Sequence, residues 1–303
     1  MGHQQSQEHQ HGHQHGHGHG HGHGHMDFAA EEMVEVLIAE GELHEGHTRQ
    51  TAAWLRELVD GPVARVVDVG SGPGVAACLL AEEFPAAEVV ALDPEESLLA
   101  LAAERAAGLG VGDRFRTQRA VLPDELGDPG RADLVWASRS LHHVGDQQAA
   151  VTAVAGLLRP GGVLAVVEGG LSARHLPRDI GIGAPDLETR LEALGSAAYG
   201  SMRAELPGAA RAVEDWPGML AEAGLTHTGT RTFLVDLPPP LAAEDRRRVL
   251  ARWRLRYGQT ADAVGAEDRA TLDVLLDPDS PEGILRRPDV FFLHALTVHT
   301  GRL

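Results

Sequence analysis

Three groups of residues have types and spacings that can do chemistry. The first is Val67-Asp68-Val69-Gly70-Ser71-Gly72-Pro73-Gly74, where an apolar run ends in a loop holding three glycines. Glycines let the backbone approach a ligand closely, and a helix opening straight after the loop would aim free N–H groups at it. The dinucleotide fingerprint G-x-G-x-x-G needs glycine at position 75, which is Val75; the third glycine falls at Gly74 instead. Asp68, two residues before Gly70, can organise the loop and meet a cationic amino group. The second group is Glu88-Val89-Val90-Ala91-Leu92-Asp93, whose closing carboxylate lies 23 residues after Gly70. An acid at a strand tip can accept both hydroxyl hydrogens of a ribose; starting the next helix is its structural alternative. The third is Ser138-Arg139 followed by Leu141-His142-His143-Val144. His142 and His143 are candidate general bases and Arg139 can orient an anionic acceptor, with local shaping of the loop as the alternative for the His pair.

These groups must be carried on strand ends. Short apolar runs bounded by turns read as strands at 65–69, 88–92, 114–118, 133–137 and 162–167. Helical patterns fall between them at 73–84, 95–107 and 146–158, the last stopped by Pro160-Gly161-Gly162. That alternation is the mark of a parallel sheet covered by helices. Residues 27–60 read as one or two helices with breaks at Gly41 and Gly46, carrying His44, His47 and Arg49, for which facing the site and surface exposure are equal alternatives. The ligand-binding core is expected over 61–168 and a cap insertion, where specificity would lie, over 169–217; its Tyr199, Met202 and Trp216 read first as core packing, with lining of the site as the other reading. C-terminal strands and helices follow over 218–303, including an arginine-rich helix at 241–257 that reads as a solvated face, a substrate-carboxylate or partner site being the other reading.

Composition narrows the chemistry further. The 303 residues hold 26 basic and 44 acidic side chains, a net charge of −18, and every basic one is arginine. Without lysine there is no Schiff base, pyridoxal phosphate linkage or P-loop lysine. A single cysteine, Cys78, leaves no internal disulfide and no thiolate metal set. The acidic balance argues against a nucleic-acid partner, and the absence of a long apolar run against a membrane one. A cytoplasmic protein with a small-molecule partner, as monomer or homodimer, is expected. Residues 1–26, almost only His, Gly and Gln, read as a disordered tail; a native metal-binding tail is the alternative, and no catalytic metal site is expected.

The motifs at 67–74, Ala91-Leu92-Asp93-Pro94, Ala132-Asp133-Leu134-Val135-Trp136-Ala137-Ser138, Leu141-His142-His143-Val144 and Leu157-Leu158-Arg159-Pro160-Gly161-Gly162-Val163-Leu164 resemble, in order and spacing, those of class I S-adenosylmethionine-dependent methyltransferases. The similarity is greatest to the bacterial small-molecule, ubiquinone-biosynthesis-like group and runs from about Val66 to Glu168. It implies an α/β fold: a Rossmann-like, seven-stranded, mostly parallel sheet with helices on both faces, helical cap insertions, and a final antiparallel strand at 290–299. It implies S-adenosyl-L-methionine as cofactor, with Asp68, Gly70, Ser71, Gly72 and Gly74 around its methionine part, Asp93 on its ribose and Ser138 beside its amino end. Where many members place an acid for the adenine amino group, this chain reads Gln118-Arg119-Ala120-Val121, which leaves backbone amides for that contact. The implied function is methyl transfer to an O, N or C atom of a small molecule, of the kind found in secondary metabolism. A non-methylating enzyme with the same pocket, or a non-catalytic cofactor- or metal-binding protein, is the alternative.

Overall fold

The computed structural model describes residues 30–303, so the histidine-rich tail lies outside the described residues. Two helices, α1 (Ala30–Leu43) and α2 (Glu45–Leu58), precede β1 (Arg65–Val69). Then come α3 (Val75–Glu83), β2 (Glu88–Asp93), α4 (Glu96–Gly108), β3 (Phe115–Arg119) and β4 (Ala132–Ser138). A single 3-10 turn at Leu141–His143 leads to α5 (Gln147–Ala155) and β5 (Leu158–Arg174). The remaining elements are α6 (Leu187–Glu205), α7 (Trp216–Glu222), β6 (Thr226–Leu237), α8 (Ala243–Thr260), α9 (Ala266–Leu276) and β7 (Phe292–Arg302).

The strands form one sheet in the order β3-β2-β1-β4-β5-β7-β6. β1 to β5 pair in parallel, while β7 runs antiparallel to both β5 and β6. This is the α/β sheet the motifs implied, with the final strand running three residues past its expected end. The chain moves outward from β1 to β3, then returns to lay β4 on the other side of β1. Loops leaving β1 and β4 therefore diverge, and the crevice between them is where open α/β sheets take their ligands.

Burial on both faces explains the apolar runs. Val66, Leu134 and Val163 are fully buried in one layer with α2, α3 and α4; Val67, Val135 and Leu164 are fully buried in the other with α5 and α7. Each such side chain contributes about 1.5–3 kcal/mol by leaving water. A third apolar cluster joins Leu43 of α1 to α6, α8 and α9 through Val249, Trp253, Leu272 and Phe292.

Three local expectations are corrected. The break between α1 and α2 falls at His44, not at Gly41 or Gly46. Gly41 sits inside α1 because a Cβ there would stand 2.6 Å from that of Val75, so the missing side chain lets α1 lie on the start of α3. β5 is far longer than 162–167, since Arg159-Pro160-Gly161 is absorbed by a register shift against β4, and Gly169 and Gly170, both at positive φ, carry the strand on along β7.

Candidate functional site

Tight packing shapes the glycine loop first. Gly74 caps α3 at φ +77°, and a Cβ there would lie 2.6 Å from that of Ala102 in α4, so only glycine satisfies both backbone and neighbour. Gly72, at φ +53°, has open space where a side chain would be. The loop N–H groups are already bonded within the protein: Gly70 and Ser71 both donate to the Leu92 carbonyl, at 2.8 and 2.9 Å, and Gly72 donates to Asp93 Oδ2 at 2.8 Å. Asp93 also accepts from the Glu95 N–H through Oδ1 at 3.0 Å. Its carboxylate thus anchors the loop to β2 and starts α4, and each oxygen keeps a lone pair for another donor.

Two adjoining cavities open at the divergence of the β1 and β4 loops. The larger, about 420 Å³, has Gly70, Gly72, Leu92, Asp93, Ala120, Leu122 and His143 in its wall. The smaller, about 300 Å³, has Asp68, Gly70, Ser71, Gly72, Ser138, His142 and His143. Both share Leu37 of α1 and Arg139. Their sizes lie within the range of about 300–1,000 Å³ usual for small-molecule sites. The His pair and the residues expected around the cofactor all line one or other cavity except Gly74, which lines neither and acts through the loop's shape.

The two carboxylates differ electrically. Asp68 is buried, its Oδ2 has no hydrogen-bond partner, and burial followed by the charge of Asp93 pushes its carboxyl up to about 8. Ser71 Oγ is a second buried polar atom without a partner. Asp93 is raised by burial too, but its two backbone donors oppose that shift. An unpaired carboxyl and hydroxyl in one cavity wall are the kind of buried polar atoms that a ligand or water ordinarily satisfies.

The His pair is held from two sides. His142 Nδ1 lies 2.8 Å from Glu168 Oε2, while Glu168 Oε1 accepts from the Leu141 N–H at 3.1 Å. With the carboxylate ionised, Nδ1 carries the proton and Nε2 is the ring's basic nitrogen. Arg203 of α6 donates to the carbonyls of His142 and Val144, at 2.8 and 2.6 Å, and so fixes the turn beneath the rings. The His143 ring lies tilted against that of His142, centroids 4.1 Å apart, and burial, aided by His142, lowers it to about 4. Arg139 has φ +52°, a strained value for a side chain of its size, and pairs with Glu40 of α1.

Glu168, Ser140 and Glu40 were not picked out from the sequence. Glu168 had a readable signal, an acid closing the apolar run of β5 beside β4, which is the logic already applied to Asp93. Ser140 donates to the Val69 carbonyl at 2.9 Å and packs on Gly70, a contact visible only in three dimensions. Other expectations are met only in part. The Ala120 and Val121 N–H groups bond to Asp93 O and Glu125 O, so they are not left for an adenine. His44 and His47 are buried beside Phe292 and Phe233 and line neither cavity. Trp216 is core, while Tyr199 stands 5.9 Å from the His142 ring and donates to Glu214. Cys78 is a buried thiol that burial pushes up to about 11. Among the described residues no group of three metal-capable side chains occurs, and no helix is long and apolar enough to cross a membrane.

Comparison with known proteins agrees with this geometry. Residues 67–164 match a family model described as a methyltransferase domain. A trans-aconitate 2-methyltransferase of Variovorax paradoxus is 37% identical over 103 residues, covering 34% of this chain and 38% of that protein. A ubiquinone biosynthesis O-methyltransferase of Rhizobium etli is 35% identical over 105 residues, covering 34% and 40%. The chain thus spans less than half the length of the curated relatives it matches. An O-methyltransferase family protein of Burkholderia thailandensis superposes with a TM-score of 0.47 at 17% identity, over 67% of this chain and 55% of that one. The segment that matches is the one that builds the β1 loop, the tip of β2 and the β4 turn. Residues 67–164 are thus similar to a methyltransferase domain, over the stretch that carries the glycine loop, the acid at the tip of β2 and the His turn.

Proposed function

We propose that the chain transfers the methyl group of S-adenosylmethionine to an oxygen, nitrogen or carbon of a small molecule. The observation that carries this reading is the pair of adjoining cavities at the divergence of β1 and β4, with unpaired Asp68 in one wall and Asp93 in the other. These residues suit the cofactor. Asp68 and Ser71 would take its ammonium end and Asp93 its ribose hydroxyls, while Leu92, Ala120 and Leu122 give the base an apolar bed. The cofactor, when bound, supplies an already activated methyl on a sulfonium.

The protein therefore has to position the acceptor, keep water out and receive a proton where the acceptor carries one. Leu37 and Glu40 of α1 close the cavities from above. His142 Nε2 is placed to take that proton, with Glu168 holding the ring in the needed tautomer and stabilising the imidazolium. His143, lowered to about 4, stays neutral at pH 7 and serves as wall. The test is turnover: the full chain is incubated with S-adenosylmethionine and a library of small phenols, amines and acids, and S-adenosylhomocysteine release is measured. Release above background with at least one acceptor, reduced by about 10²–10⁴ in His142→Ala for an O–H acceptor, is expected. Cofactor binding without release from any acceptor would count against methyl transfer.

A further inference from the structure

The arginine-rich helix is solvated on only one side: Arg247 and Arg254 are exposed, as expected of a surface face, while Arg248, Arg252 and Arg256 are not. Arg248, Arg252, Leu255 and Arg256 fall one helical turn apart and so share a side of α8. Leu255 on that side lines the smaller cavity, and so does Glu40, with which Arg252 pairs. Arg252 places one nitrogen on Glu40, which also holds Arg139, and lies over the Phe292 ring at 5.9 Å. Its Nε is buried without a partner. Arg256 is half-buried near Glu188, Glu192 and Arg174 and makes no side-chain hydrogen bond among the described residues. Arg174, at the end of β5, gives Nη2 to Glu192 but keeps Nη1 buried and unpaired.

His175, fully buried between Trp253 and Phe292, spends Nδ1 on Glu188 and leaves Nε2 without a partner. Buried donors are nearly always satisfied, so several orphans on neighbouring cations call for an acceptor that the chain does not provide. Three carboxylates, Glu40, Glu188 and Glu192, already serve this cluster and still leave those donors unmet. Guanidinium forks suit a planar carboxylate better than any neutral group.

We propose that the acceptor is a carboxylate-bearing small molecule, its anionic group seated on Arg252, Arg256 and Arg174 and its methyl-accepting atom turned toward His142. This rests on the methyltransferase reading for the identity of the site, but the anion site can fail or stand separately. The chain α8, α1 and Arg139 connects the two, since Glu40 bridges Arg252 to the residue that lines both cavities.

The test is calorimetric titration of the full chain, loaded with S-adenosylhomocysteine, with benzoate, succinate and citrate, and with benzamide and succinamide as neutral counterparts. At least one carboxylate binds saturably, its amide does not, and Arg256→Gln weakens the carboxylate by at least about tenfold. S-adenosylhomocysteine affinity in that variant changes by less than about twofold, which separates the anion site from the cofactor site. Arg174→Gln serves as the second variant, and thermal melts establish that both are folded. The proposal is overturned if no carboxylate binds, if acids and amides bind alike, or if both folded variants bind as the parent does. If S-adenosylhomocysteine itself fails to bind, the cofactor reading falls, and the same titration of the unloaded chain decides the anion site by the same outcomes.

Discussion

Asp68 allows a prediction in which charge, pH and binding are tied together. Burial holds its carboxyl near 8, against 3.8 for an ordinary aspartate, because ionisation would put a charge in the loop floor close to Asp93. At pH 7 about nine-tenths of the unliganded protein carries the proton on this group. Docking an ammonium on Asp68 reverses the balance and returns the group toward the normal carboxylate range, so binding releases close to one proton. Between pH 8 and pH 6 the affinity for S-adenosylhomocysteine should then fall by roughly 50-fold.

The sign for stability is opposite. A group whose folded value lies above its unfolded one favours the folded state at low pH, and this contribution is lost as pH rises from about 4 to about 8. Asp68→Asn keeps the shape and removes the titration. It should flatten the stability profile over that window, abolish the proton release and weaken the ligand at pH 8. Titration calorimetry in buffers of different ionisation enthalpy reads the proton directly. Release below about 0.2 proton at pH 7, or equal release in Asp68→Asn, would refute the assignment of Asp68 to the ammonium.

Other consequences follow from single contacts. Asp93→Ala removes the acceptor for the Gly72 and Glu95 N–H groups as well as the proposed ribose contact, so S-adenosylhomocysteine affinity should drop by about 100-fold or more. Exposed Arg119→Ala should change it by less than about twofold, and equal losses would show the ribose assignment to be wrong. Gly74→Ala forces a left-handed side-chain residue onto Ala102 and should cost about 2–4 kcal/mol, seen as a lower urea midpoint at constant m; an unchanged midpoint would mean α3 and α4 can move apart freely. Arg203→Ala leaves the His142 and Val144 carbonyls without their donor, so hydrogen exchange should speed up in residues 141–146, and unaltered protection there would show the turn is held by Glu168 alone.

Much of the sheet and of the loop floor was readable because both depend on local sequence. Buried parallel strands need unbroken apolar runs, and the run at 65–69 gives β1 to the residue. The third glycine at 74 likewise sets the loop apart from the dinucleotide fingerprint by spacing alone. What escaped depends on partners distant in sequence. The α1–α2 break at His44 follows from that residue's Nε2 meeting His294 Nδ1, 250 positions away, at 2.6 Å. Gly41 reads as a breaker by propensity, yet it permits contact with Val75. The arginines of α8 look like a surface stripe in sequence, and only the packing of α1 turns Arg248 and Arg252 inward and that of α6 covers Arg256.

The most direct test of the central claim is a calorimetric titration of the full chain with S-adenosylmethionine, S-adenosylhomocysteine and NAD in parallel. Saturable binding of the two adenosyl ligands and none of NAD is predicted, because the third glycine stands at 74 and the ribose acid closes β2. Binding of NAD in preference to the adenosyl ligands, or of none of the three, would contradict the account.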